Sequence, residues 1–136
     1  MNPAIRGSYA SSMGETASEY SLNSLTQLVR AFAEARDWGQ FHSPRNLVLA
    51  LVGEVGELAS EFQWLSDDMI SSKIDDKEFI RSVGAELADV FSYLLRLSDV
   101  LGIELADELR KKMAINEVRY PADRSRGSSD KYTSYE

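Results

Sequence analysis

The spacing of apolar residues predicts helices almost everywhere that it predicts anything. Wound at roughly 100° per residue, residues 44–65 place Leu47, Leu51, Val55, Leu58 and Phe62 on one arc, with Glu54, Glu57 and Glu61 along its border. Residues 79–101 repeat the arrangement: Phe79, Val83, Leu87, Val90, Leu94 and Leu101 form the arc, and Glu86, Asp89 and Tyr93 line its edge. Upstream, Ser21 is positioned to cap a helix whose apolar face is Leu22, Leu25, Leu28, Val29 and Phe32, ending near Trp38-Gly39. Ser43-Pro44, a cap residue followed by proline at the first helical position, starts the second helix, expected to run to about Trp64. The third is expected over about 77–101, stopping at Gly102. The fourth spans roughly 104–119, carries Leu105, Leu109, Met113 and Val118, and must end by Tyr120 because Pro121 follows. No stretch alternates with period two for long enough to be a strand. The expected fold is all-α, with one domain over 21–120. Residues 1–20, rich in Ser and small residues, read as a flexible leader, 66–76 as a polar connection and 121–136 as a polar C-terminal tail.

The two central helices also carry a second face of small residues. Gly53 and Gly56, each costing about 1 kcal/mol relative to Ala in a helix interior, share it with Leu49 and Ser60; on the third helix Ala85, Ala88, Ser92 and Leu95 make the equivalent face. Four helices do not readily cover both sides of the two central ones, so a second subunit is the expected cover. The alternative is that the first and fourth helices cover both faces within one chain.

Composition narrows the function. The chain has 136 residues, 43% of them hydrophobic, enough for one core. A net charge of −7 argues against binding to a nucleic acid polymer, whose phosphates demand a basic surface. With no cysteine there is no disulfide framework, zinc-thiolate site or thiol nucleophile, and an intracellular location is the default. No apolar run approaches the ~20 residues needed to span a bilayer, so no membrane partner is expected.

The acids on the two arc borders are the main chemical signal. Glu54 and Glu57, and then Glu86 and Asp89, are spaced i,i+3, so each pair projects from one helix face and the pairs are able to converge. Like charges gathered at the margin of a core repel and lose hydration, which calls for protonation or a cation. All-oxygen ligands favour a hard ion, Mg2+ or Mn2+, and Mg2+ typically arrives with substrate phosphates. The plain alternative is two solvated helix edges. Carboxylate-held Mg2+ suits phosphoryl chemistry, in which Glu54 or Glu57 takes a proton from water and pyrophosphate leaves a nucleoside triphosphate. No GxxxxGK[ST] loop is present, which argues against a P-loop ATPase.

Trp38 and Trp64 stand at the ends of the first two helices, where an aromatic ring packs either on a base or on a neighbouring helix. His42, the only histidine, lies in the loop before the Ser43-Pro44 cap, and Asn116, Arg119 and Tyr120 gather at the end of the fourth helix, where an arginine also complements the helix dipole. Here the residues carry a family resemblance. Arg36-Asp37-Trp38, Phe41-His42, Pro44-Arg45-Asn46-Leu47, Glu54-Val55-Gly56-Glu57-Leu58, Phe62-Gln63-Trp64, Glu86-Leu87-Ala88-Asp89-Val90 and Tyr93-Leu94 resemble the dCTP pyrophosphatase branch of the MazG-like all-α NTP pyrophosphatases. The likeness continues through Lys112-Met113, Asn116, Arg119-Tyr120-Pro121 and Ser125-Arg126-Gly127 to Lys131-Tyr132-Thr133.

The resemblance implies a four-helix MazG-like bundle assembled through helix–helix contacts into dimers and a cytosolic homotetramer. It implies Mg2+-dependent hydrolysis of dCTP and base-modified dCTP to the monophosphate and pyrophosphate, a form of nucleotide-pool sanitation. Residue by residue it assigns metal binding to Glu54, Glu57, Glu86 and Asp89, and substrate contact to Trp38, His42, Trp64 and Tyr93, with Lys112, Asn116 and Arg119 also in contact with substrate. Val29 departs from the pattern, since a nucleotide-contacting histidine is expected there; this bears on selectivity for base or sugar and leaves the metal chemistry intact. Two rivals stand beside this reading: a related enzyme preferring dUTP or damaged triphosphates, and a non-catalytic helical interaction protein that keeps the acids as a charged groove.

Overall fold

The computed structural model describes residues 20–131 and 133; all but Tyr20 of the leader expected over 1–20 lies outside them, as does Tyr132. Among the described residues there are six α-helices and no strand: α1 (Leu22–Glu34), α2 (Pro44–Ser60), α3 (Asp67–Lys73), α4 (Lys77–Leu101), α5 (Leu105–Arg119) and α6 (Ala122–Ser125). The all-α expectation holds, and α1, α2, α4 and α5 are the four long helices read from periodicity.

Their ends follow local chemistry. The Ser21 hydroxyl accepts from the Ser24 N–H at 3.1 Å and the Ser43 hydroxyl from the Asn46 N–H at 3.3 Å, each satisfying a donor that the first turn leaves open. Pro44 at the first helical position loses no hydrogen bond there. Asp76 caps α4 by accepting from the Glu78 and Phe79 amides, and Gly102 ends that helix at φ 66°, a left-handed conformation that glycine adopts without the penalty of a Cβ.

Three boundaries differ from the sequence reading. α1 stops at Glu34, not near Trp38, because Asp37 turns left-handed at φ 54° and Trp38–Phe41 form a separate 3-10 turn. α2 stops at Ser60, and Trp64 falls in the turn beyond it. The polar connection holds the seven-residue α3, capped by Ser66, and a helical turn, α6, lies inside the polar tail.

The chain divides after Gly102 into two compact units. In the first, α4 packs against both α2 and α1, and α1 packs against the 3-10 turn. Leu47 of α2, Ala33 of α1 and Leu95 of α4 are the apolar side chains sealed inside, at 1%, 2% and 2% exposure; full burial of one leucine contributes about 2 kcal/mol. Phe62 and Phe79 meet edge to face, ring centres 5.7 Å apart, and tie the end of α2 to the start of α4. The second unit holds α5, which ends at Arg119 before Pro121, and α6, whose Ser125 hydroxyl donates to the Pro121 carbonyl at 2.8 Å.

The burial of α4 reverses part of the sequence reading. Leu95, expected on the small-residue back face, is buried, while Leu87, Leu94 and Leu101 of the expected core arc are exposed. α1 packs on α4, and its Arg30 reaches Asp99, one turn beyond the buried Leu95 and next to the buried Ser98. On α2, Leu49, Gly53, Gly56 and Ser60 of the small-residue face are all exposed, but so is Val55 of the expected core arc.

Candidate metal centre and adjoining pocket

The i,i+3 pairs on α2 and α4 converge. Carboxylate oxygens of Glu54, Glu57 and Glu86 lie within 4.8 Å of one another. This follows from two local facts: residues three apart share a helix face, and α2 and α4 are the most extensively packed pair in the unit. Asp89, the fourth expected ligand, stands just outside this triad, but its charge is among the influences on both Glu54 and Glu86. Glu61 accepts a hydrogen bond from the Ser82 hydroxyl at 2.9 Å and is outside the triad too.

The electrostatics show what such a gathering costs. The Glu54 carboxyl holds its proton above the usual range, first through loss of hydration and then through repulsion from Asp89, Glu57 and Glu86. The Glu86 carboxyl shifts the same way, again through desolvation first, then through Glu57, Asp89 and Glu61. Both shifts would be relieved by a cation among the carboxylates. An all-oxygen donor set with no nitrogen or sulfur ligand fits a hard divalent ion, so the residues present are able to hold a metal.

Beside the acids is a pocket of about 260 Å3 lined by Val29, Phe32, Trp38, His42, Glu54, Asp89, Ser92, Tyr93 and Arg96, with Ala33 beneath. Glu54 belongs to the acidic triad and also lines the pocket, as Asp89 does, so the two are continuous. The aromatic wall is ordered by edge-on contacts: Phe32 to Trp38 at 5.7 Å between ring centres, and Trp38 to His42 at 6.2 Å. The 3-10 turn that carries Trp38 is tied to α2 by Asn46, whose amide donates to the Phe41 carbonyl at 3.0 Å. Gln40 closes the turn by donating to the Asp37 carbonyl and carboxylate.

Of the residues expected to touch substrate, Trp38, His42 and Tyr93 thus share one pocket. Trp64 is not among its lining residues and is 84% exposed. Lys112, Asn116 and Arg119 lie on α5, in the second unit. The pocket also holds a residue that the sequence reading passed over. Arg96 donates from Nε to His42 Nδ1 at 3.1 Å and from its terminal nitrogen to Asp99 at 2.6 Å. Asp99 in turn receives Nε of Arg30 at 3.0 Å and the Arg30 terminal nitrogen. Held in this way, chiefly by the Arg30 hydrogen bond, the Asp99 carboxyl lies below its ordinary range. Helical spacing did carry a signal for Arg96, which follows Asp89 and Tyr93 at i+7 and i+3 on the same edge.

No protein-family model matches the sequence. Relatives do. Over 115 residues the chain is 45% identical to dCTP pyrophosphatase 1 of Mus musculus and to that of Homo sapiens, covering 85% of this chain and 68% of each relative. The Bos taurus protein of the same name is 44% identical over 116 residues. The chain belongs to the dCTP pyrophosphatases of the MazG-like all-α NTP pyrophosphatase superfamily. A solved pyrophosphatase from Archaeoglobus fulgidus is similar in fold, with a TM-score of 0.67 and 36% identity, covering 73% of this chain and 91% of that one. Val29, where the resemblance implies a histidine, is among the residues that line the pocket. No helix among the described residues is long and apolar enough to cross a membrane.

Proposed function

We propose that this chain is a Mg2+-dependent nucleoside triphosphate pyrophosphohydrolase that converts dCTP and modified dCTP to dCMP and pyrophosphate in the cytoplasm. The observation that carries the reading is the continuity of a three-carboxylate centre with an aromatic pocket through Glu54 and Asp89. Glu54, Glu57, Glu86 and Asp89 would hold Mg2+, with Mn2+ as a substitute; when bound, the ion neutralises the polyphosphate and stabilises the pyrophosphate leaving group. The protein's own groups do the rest. Trp38 and Tyr93 enclose the base, His42 hydrogen-bonds it, and the polyphosphate is thereby directed toward the acids. Glu54 accepts the proton of the attacking water; among the three clustered glutamates it alone also lines the pocket, which puts it next to a bound nucleotide. Water attack at the α-phosphorus breaks the bond to the bridging oxygen, and pyrophosphate departs with that electron pair.

A panel of nucleoside triphosphates with Mg2+, read by pyrophosphate release, tests this. dCTP should turn over fastest, and Glu57→Ala or Asp89→Ala should abolish turnover while helicity by circular dichroism is retained. Unchanged turnover in both variants would defeat the assignment. A narrower reading follows from Val29: with a small apolar side chain where close relatives are expected to carry histidine, the preference for dCTP over other pyrimidine triphosphates is weaker here. Val29→His should then sharpen it.

We further propose a homo-oligomer, with a tetramer as the expected state. Val48, Leu49, Val52 and Val55 of α2 and Ile80, Leu87, Phe91 and Leu94 of α4 are all exposed in the single chain. Val55, Leu58, Ala59, Phe62, Val83 and Leu87 line an apolar groove between the two helices. Surface of this extent is characteristic of association.

A further inference from the structure

His42 is held from one side by the edge of Trp38 and from another by Arg96. The Arg96 contact fixes more than position. A guanidinium has donors and no acceptor, so the imidazole Nδ1 that receives Nε–H at 3.1 Å must be the unprotonated nitrogen. In a neutral ring the proton is then on Nε2. Arg96 is itself poorly free to move: its side chain is 12% exposed, and its other contact is Asp99, 8% exposed and clamped by Arg30 from α1. Four side chains from α1, α4 and the loop before α2 thus form one line, Arg30–Asp99–Arg96–His42, ending on a ring that lines the pocket.

We propose that Arg96 is a positioning residue that sets the tautomer of His42, so that the pocket presents one fixed donor, Nε2–H, to an acceptor atom of the base. This rests on the reading of the pocket as a nucleotide site. Cytosine offers acceptors at ring N3 and O2, side by side, whereas uracil and thymine put a donor, N3–H, between their carbonyls. A locked donor directed at ring N3 is therefore accepted by cytosine and opposed by the N3–H of uracil or thymine; a ring free to exchange tautomers would offer donor or acceptor to either. The low proton affinity of His42, caused first by loss of hydration and then by the Arg96 charge, keeps the ring neutral, as the device needs. Arg96 does not touch the reacting phosphorus and acts through His42.

Because His42 is the only histidine, long-range 1H–15N correlation of the labelled protein reads its tautomer without ambiguity. The nucleotide-free wild type at neutral pH should show Nε2 protonated and Nδ1 not. Arg96→Met should release the ring to a mixture of tautomers and reduce the ratio of kcat/KM for dCTP over dUTP and dTTP by about tenfold or more, since loss of a polar contact is what discriminates strongly. Arg96→Lys, which retains a donor, should recover much of both. Asp99 remains paired with Arg30 in either variant, so neither leaves a bare buried carboxylate. A protonated Nδ1 in the wild type overturns the proposal even if dCTP is the best substrate. An unchanged tautomer and unchanged ratios in Arg96→Met overturn it as well, without needing the variant's absolute rate. Absence of any triphosphate hydrolysis by a wild type with Nε2 protonated would instead overturn the nucleotide reading, and the specificity role with it.

Discussion

Two carboxylates with opposite shifts make separable predictions. Glu86 holds its proton more tightly in the folded chain than its ordinary value of 4.5. For a group raised in this way, the unfavourable contribution is absent at pH below 4.5 and develops as pH rises through the folded value. Without metal, wild type should therefore lose thermal stability relative to Glu86→Gln as pH is raised from 4.5 toward neutrality, and Mg2+ should restore the wild type alone. A melting series in chelator with and without added Mg2+ checks both signs. Asp99 is lowered from 3.8 by its arginine partners. Its contribution is fully present above 3.8 and is lost as pH falls through the depressed value. Asp99→Ala should cost about 3 kcal/mol at neutral pH, the scale for breaking one side of a buried pair, and denaturant titrations should show the gap narrowing in strong acid. The i,i+3 carboxylates were legible in sequence because helical geometry alone sets their spacing. The Arg30–Asp99 pair, 69 positions apart, was not, because no local spacing encodes it.

The elements matter for what they aim. α2 brings Glu54 to both the acidic centre and the pocket, and its first turn fixes the neighbouring 3-10 turn through Asn46. Asn46→Ala removes the bond to the Phe41 carbonyl and with it the register of Trp38 and His42. KM for every nucleotide should rise roughly fivefold, with about 1 kcal/mol lost per hydrogen bond, while affinity for Mg2+ measured by calorimetry stays the same. A parallel fall in Mg2+ affinity would mean that the turn and the acids are not separable. Helix starts were legible at this scale, since Ser21 and Ser43-Pro44 act through neighbours three residues away. Helix ends were less so. The break at Asp37 depends on a left-handed residue that is not glycine, and α2 stops at Ser60, short of the Trp64 to which it was expected to run.

At the scale of the molecule, the first unit seals only Ala33, Leu47 and Leu95 as apolar core among the described residues, while Leu87 is 51% exposed on a helix of 25 residues. An all-α unit with so small an interior would gain stability by association. For the oligomer proposed above, Leu87→Glu should lower the mass in light scattering and remove the dependence of the thermal midpoint on protein concentration; an unaltered mass would place the interface elsewhere. The sequence by itself determined the all-α class, the four long helices and the pairing of acids within each helix, because caps, prolines and a period of 3.6 residues act over one or two turns. Only the tertiary structure decided which arc of α4 is covered, that Glu54, Glu57 and Glu86 meet at one point, and that Arg96 lines the pocket beside Trp38, His42 and Tyr93. These depend on how α1 and α2 lie against α4, a choice among helix faces of similar apolarity that packing makes and periodicity does not.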